Sequence, residues 1–154
     1  MELRQKLLDH QKDSLKNRDA VRLSTLRLLM AQIKNKEIEK GKGAVLSDEE
    51  IVDIISSMIR KMDESIVSFT AGGRSDLAEK ERAEQAILRV YLPEPLSEQD
   101  LDRLVLEAAQ ETKASGPRSM GVVMQWLTPH TKGRADNRIV SQKVKTALEA
   151  MAKS

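Results

Sequence analysis

Apolar residues in this chain return every three or four positions, and most stretches of this kind stop at a glycine or a proline. Between positions 51 and 62 the sequence places Ile51, Ile54, Ile55, Met58, Ile59 and Met62 in this way. A repeat near 3.6 lines one side of a helix, whereas a strand needs strict alternation. The side-chain inventory agrees. The 154 residues include one Phe, one Tyr and one Trp, so a core must be built from Leu, Ile, Val, Met and Ala. Leu, Met and Ala, with Glu, Lys, Arg and Gln, are good helix formers. The β-branched and aromatic runs that mark strands are nearly missing. The expected fold class is all-α.

Punctuation divides the chain. Leu3, Leu7 and Leu8 mark a first helix over 2–16, and a break at Asn17-Arg18-Asp19 leads to a second over about 19–40. The second carries Leu26, Leu29, Met30 and Ile33 on one side and Ala20, Ser24, Ala31 and Asn35 on the other. A helix apolar on one side and small on the other is expected to be packed from both. Glu37 lies within its apolar stripe and calls for an Arg or Lys partner. Ser47-Asp48-Glu49-Glu50 is a capping box that opens a third helix, about 48–71, which Gly72-Gly73 stops. Ser75 or Asp76 caps a fourth, to about Val90.

Pro93 and Pro95 disfavour helix at the residues before them, so 92–96 reads as a stiff linker. The expected domains are 1–95, an N-terminal helical bundle, and 96–154, a small C-terminal three-helix domain. The latter is read as helices over about 98–114, 119–128 and 137–152, with Thr128-Pro129 ending the middle one and Asp136 capping the last. Gly73-Arg74-Ser75-Asp76 and Gly133-Arg134-Ala135-Asp136 share one pattern between helices. Glycine suits the left-handed position after a helix, and Ser or Asp caps the next.

Composition removes several classes of function. No Cys is present, which excludes disulfides and thiolate metal sites. No stretch approaches the roughly 18 apolar residues that would span a bilayer, and no membrane partner is expected. The first residues lack the apolar core of a signal peptide, and the expected location is cytoplasmic. Charge is uneven. Residues 1–46 hold 11 basic and 6 acidic side chains, 47–96 hold 6 and 11, and 113–154 hold 8 and 2. Basic ends around an acidic middle permit a polyanion partner without demanding one.

Residues that could carry chemistry are few. His10 falls on the polar side of the first helix, and His130 follows Pro129 in an expected loop. Neither has a second His at metal spacing, and no metal or cofactor is expected. Glu81 and Glu84 share a face of the fourth helix and suit either acid–base work or salt bridges to the basic second helix, the latter being favoured. Gly41-Lys42-Gly43 lacks the P-loop pattern. Lys113, Arg118, Lys132, Arg134, Arg138, Lys143 and Lys145 crowd the last part of the chain. Phosphate contacts need little more than such a cluster and exposed helix ends. Of the aromatic residues that could stack on bases, Trp126 lies between Met124 and Leu127 and reads as core.

Several stretches, in order along the chain, resemble the GatB/YqeY-like family. They are Leu23-Ser24-Thr25-Leu26-Arg27-Leu28-Leu29, Gly73-Arg74-Ser75-Asp76-Leu77 with Glu81 and Glu84, and Tyr91-Leu92-Pro93-Glu94-Pro95-Leu96-Ser97. Met120-Gly121-Val122-Val123-Met124 and Gly133-Arg134-Ala135-Asp136, followed by Val144-Lys145, complete the set. Asn137-Arg138 departs from it where the family often has Gly. The resemblance implies an N-terminal bundle and a C-terminal three-helix domain. It also implies a setting, since similar modules form the tail of the B subunit of the glutamine-dependent tRNA amidotransferase and extend some glutaminyl-tRNA synthetases. There the tail helps to hold tRNA while other domains do the chemistry, and no catalytic residue carries over.

Three functions are compatible with these features. The first is a non-catalytic tRNA-binding accessory, acting alone or beside an amidotransferase or aminoacyl-tRNA synthetase. Its backbone contacts would be Arg118, Lys132, Arg134 and Arg138, with Lys143 and Lys145 beside them. The second is a carbon–nitrogen ligase of amidotransferase type with glutamine as amido donor, for which Glu81, Glu84 and His130 are the candidates. No nucleophile with an adjacent base supports it. The third is a protein-interaction adaptor.

Overall fold

The computed structural model describes residues 2–153. All regular structure among them is helical. The helices are α1 (Glu2–Lys16), α2 (Ala20–Lys40), α3 (Asp48–Ala71), α4 (Ser75–Arg89), α5 (Glu98–Glu111), α6 (Met120–Thr131) and α7 (Asn137–Ala152), with a 3-10 turn at Pro117–Ser119. The chain forms two compact units, Met1–Leu92 and Pro93–Ser154.

In the first unit, α1 turns into α2 through Arg18, whose backbone is left-handed at φ 57°. The Asp19 side chain accepts from the Arg22 amide and caps α2. Leu26, Leu29 and Ile33 are fully or almost fully buried, together with Leu7 of α1 and Leu46 of the loop before α3. The other side of α2 differs from expectation. Ala20, Ser24, Ala31 and Asn35 are exposed, so α2 is packed from one side only. The reason is supply, because α1, α3 and α4 all reach α2 through its Leu26–Leu29–Ile33 side.

The capping box forms as the sequence predicts. Ser47 Oγ accepts from the Glu50 amide at 3.2 Å, and Glu50 Oε1 accepts from the Ser47 amide at 3.1 Å. The 24-residue α3 buries Ile51, Ile55, Met58, Ile59, Met62 and Ile66 along one stripe. It ends as Gly73 turns left-handed at φ 74° and the Arg74 amide donates to the Phe69 carbonyl at 2.8 Å. Here a detail of the capping expectation gives way. Arg74 occupies the cap position of α4 without a side-chain cap bond. Its guanidinium holds Asp76 instead. Gln85 of α4 donates to the Ile59 carbonyl and to Asp63, which joins α4 to α3.

In the second unit, α5, α6 and α7 contact one another pairwise around Leu101, Val105, Ala108, Val123, Leu127, Val140, Val144 and Leu148. α5 ends through Lys113 in a left-handed conformation, φ 56°, with the Ala114 amide donating to the Ala109 carbonyl. α6 overruns its expected end. It continues through Pro129 to Thr131, because Leu127 and Thr131 are buried on either side of the proline and hold the helical path. His130 consequently lies on the last turn of α6 and not in a loop.

Candidate nucleic-acid interface

The second unit carries the basic cluster, and its helices sort the cluster into distinct roles. Lys132 caps α6 at its C-terminus and is exposed. Arg134 follows in the α6–α7 turn, where Gly133 is left-handed at φ 73°. The Arg134 Nε donates to the Glu94 carbonyl at 3.0 Å, and the Arg134 carbonyl accepts from the Leu96 amide at 2.9 Å. Arg134 thus ties the segment before α5 to the turn before α7. Arg138 stands exposed in the first turn of α7, behind Asp136, whose carboxylate accepts from the Arg138 amide.

Lys143 points at α5. Its ammonium donates to Asp102 at 2.6 Å and to Glu98 at 3.3 Å. The hydrogen bond it donates to Asp102 comes first among the causes that raise its pKa above the usual lysine range. Lys145 lies on the other flank of the buried Val140–Val144–Leu148 stripe and is exposed. Seven residues separate Arg138 from Lys145, two helical turns that bring both to one side of α7. Arg118 sits in the 3-10 turn, which packs on α7, and Gly116 beside it lies against Ala152 at the far end of that helix. The six basic residues therefore do not make one patch. Lys132, Arg138 and Lys145 follow the α6–α7 turn and one flank of α7, while Arg118 stands by the opposite end of α7, about 21 Å along the helix from Arg138 and about 10 Å from Lys145.

A ring pair emerges only in the folded chain. Trp126 and His130 stack with centroids 4.5 Å apart and planes at 29°. Their spacing of four is the helical signature, hidden by reading Pro129 as a stop. Trp126 is half-buried against the core of its unit, and His130 is exposed.

The acidic candidates stand in the other unit. Glu81 and Glu84 are half-buried on α4. Burial, and then the Glu84 charge, raise the pKa of the Glu81 carboxyl. Neither makes an ion pair with α2 among the described residues, so the expected bridges to the basic helix do not form. Among the described residues, no three His, Asp or Glu gather as a metal site. No described helix is long and apolar enough to cross a membrane.

A family model described as Yqey-like protein matches residues 4–148. The chain belongs to the YqeY-like family. Relatives of this YqeY-like chain bear the name altered inheritance of mitochondria protein 41, mitochondrial. The one from Pyrenophora tritici-repentis is 32% identical over 142 residues, 90% of this chain and 77% of its own length. Those from Candida glabrata and Lachancea thermotolerans are 30% and 37% identical, over 69% and 65% of this chain. The matches span only 59% and 54% of the latter two proteins. These names correct the cytoplasmic expectation, which does not stand beside relatives named as mitochondrial. Its basis was too narrow, since the lack of a signal-peptide core bears on secretion and does not distinguish one aqueous compartment from another.

Proposed function

We propose that this YqeY-like chain is a non-catalytic RNA-binding accessory that holds the backbone of tRNA through its second unit. The observation that carries the reading is the exposed basic strip of Lys132, Arg138 and Lys145 on a packed three-helix scaffold. Phosphate recognition needs fixed cations more than it needs base-reading side chains. Residues 113–154 supply them, with 8 basic and 2 acidic side chains. Lys143 and Arg134 take different parts. The first is held by α5 carboxylates and the second by a backbone carbonyl, so they fix the scaffold that presents the strip. An amidotransferase or an aminoacyl-tRNA synthetase is the partner class that such a tRNA-holding module would assist, and the setting suggested by the relatives is mitochondrial.

The test is the binding of total tRNA as a function of salt. Affinity should fall steeply as salt rises, and Arg138→Glu and Lys145→Glu should each lower the logarithmic slope by about 1. Lys143→Gln should leave the slope nearly unchanged. Absence of any salt-sensitive binding at low ionic strength would sink the proposal.

A further inference from the structure

The outward side of α2 carries a pattern that its own unit does not use. Val21, Ser24, Leu28, Ala31, Asn35 and Ile38 are spaced by three and four residues in strict alternation. That is the a/d repeat of a two-stranded coiled coil, with Val21, Leu28 and Asn35 at a and Ser24, Ala31 and Ile38 at d. All six are exposed, and the three large ones keep 45%, 49% and 67% of their surface in water. The core of the unit is reached from the opposite side of the helix, through Leu26, Leu29 and Ile33.

We propose that this face pairs with the same face of a second copy of the chain, as a parallel, in-register helix pair. The flanking charges choose both the occupant and the direction. Ala20, Arg27 and Lys34 fall at g, and Thr25, Gln32 and Glu39 at e. In a parallel pair each g residue meets the e residue five positions on in the partner. Lys34 then meets Glu39 of the second copy, and the symmetry makes this ion pair twice. Arg27 meets Gln32. In an antiparallel pair the g rows face each other and bring Arg27 against Lys34, like against like. The identical layers also suit the polar position. Asn35 meets Asn35 of the second copy, where one amide donates to the other's carbonyl, and a single Asn at a is a known register and strand-number device. Ser24 and Ala31 are small enough to let the backbones approach. Glu39 now holds Lys36 at 3.3 Å, with both side chains more than half exposed, so exchanging that partner costs little.

The absence of cysteine makes the test direct, because any introduced thiol is the only one. Full-length Ser24→Cys, under mild oxidation by oxidised glutathione, should form a disulfide-linked dimer in high yield. Lys36→Cys, at an outer position, should not. Sedimentation equilibrium of the unmodified chain should give twice the chain mass at high concentration. Leu28→Glu and Glu39→Lys should each weaken the dimer by about tenfold or more. Lys34→Glu combined with Glu39→Lys should restore it. A chain that remains monomeric throughout, with no Ser24→Cys crosslink, overturns the proposal. So does a dimer indifferent to Leu28→Glu, which would place the contact elsewhere. A crosslink between Ser24→Cys and Asn35→Cys that neither variant forms alone assigns an antiparallel pair and overturns it equally. A monomer whose Ser24→Cys thiol is shielded from alkylation only when total tRNA is added gives the face to RNA, against self-pairing.

Discussion

Glu37 shows how much one side chain can settle in a fold with few polar contacts in its interior. Its carboxylate holds the Arg4 guanidinium of α1 and accepts from the Leu46 amide at 3.0 Å, joining α1, α2 and the loop before α3. Removing it leaves a half-buried cation and a backbone donor beside it without their acceptor. Glu37→Ala should therefore lower unfolding free energy by about 2 kcal/mol. Urea unfolding followed by circular dichroism would measure this, and a change below the error of the method would count against the role. The need for a cation beside Glu37 was legible in the sequence, since an acid within an apolar stripe demands one. Which cation answers was not, because Arg4 lies 33 positions away and only the packing of α1 selects it. The bond between His10 Nδ1 and the Tyr91 hydroxyl, at 2.6 Å across 81 positions, was hidden for the same reason. Lys143 is the converse case. The sequence marks it as basic, and only the fold shows that two α5 carboxylates already hold it.

At the scale of elements, what the sequence disclosed best was where helices start. Cap chemistry is local, so Ser47 and Ser97 could be read directly, and both accept the expected amide bond. Ser47→Ala should cost about 1 kcal/mol and fray the first turn of α3, visible as faster amide exchange at Glu50 and Ile51. Helix ends proved harder when burial opposed local preference. Pro129 has no amide to donate and disfavours helix at Thr128, yet α6 continues to Thr131. Pro129→Ala restores the missing donor in a turn that is already helical. It should raise stability by about 1 kcal/mol, the helix gain outweighing the added freedom of the unfolded chain. A lower urea midpoint for this variant would show that the proline suits its place better than helix propensity allows. The exposed side of α2 escaped the reading because small residues can line a packed face or an open one equally well.

Over the whole molecule, the charge arrangement assigns each unit its own pH limit. The Lys40 hydrogen bond, then the Ser47 amide, hold the Glu50 carboxyl below its ordinary 4.5. That stabilisation is complete above the ordinary value and is lost as pH falls through the lower folded one. Asp102 raises the Lys143 pKa above the ordinary 10.5, so its contribution is present below that value and disappears as pH rises through the higher folded one. Stability should fall in acid below about pH 5 and in alkali above about pH 10, with unit 1–92 weakening first in acid, where the raised Glu81 pKa opposes part of the loss, and unit 93–154 first in alkali. Urea midpoints across pH would check this. Glu50→Gln should remove part of the acid loss, and Lys143→Met part of the alkaline one. The means of telling the units apart is already in the fold. Trp126 is the only tryptophan, and it stacks on His130 within the second unit, while Tyr91 and Phe69 belong to the first. Emission excited at the red edge of the indole band will therefore report on one unit alone. A polyanion that draws His130 off the indole ring will change that emission with no dye attached, so the chain is its own label for the three-helix unit.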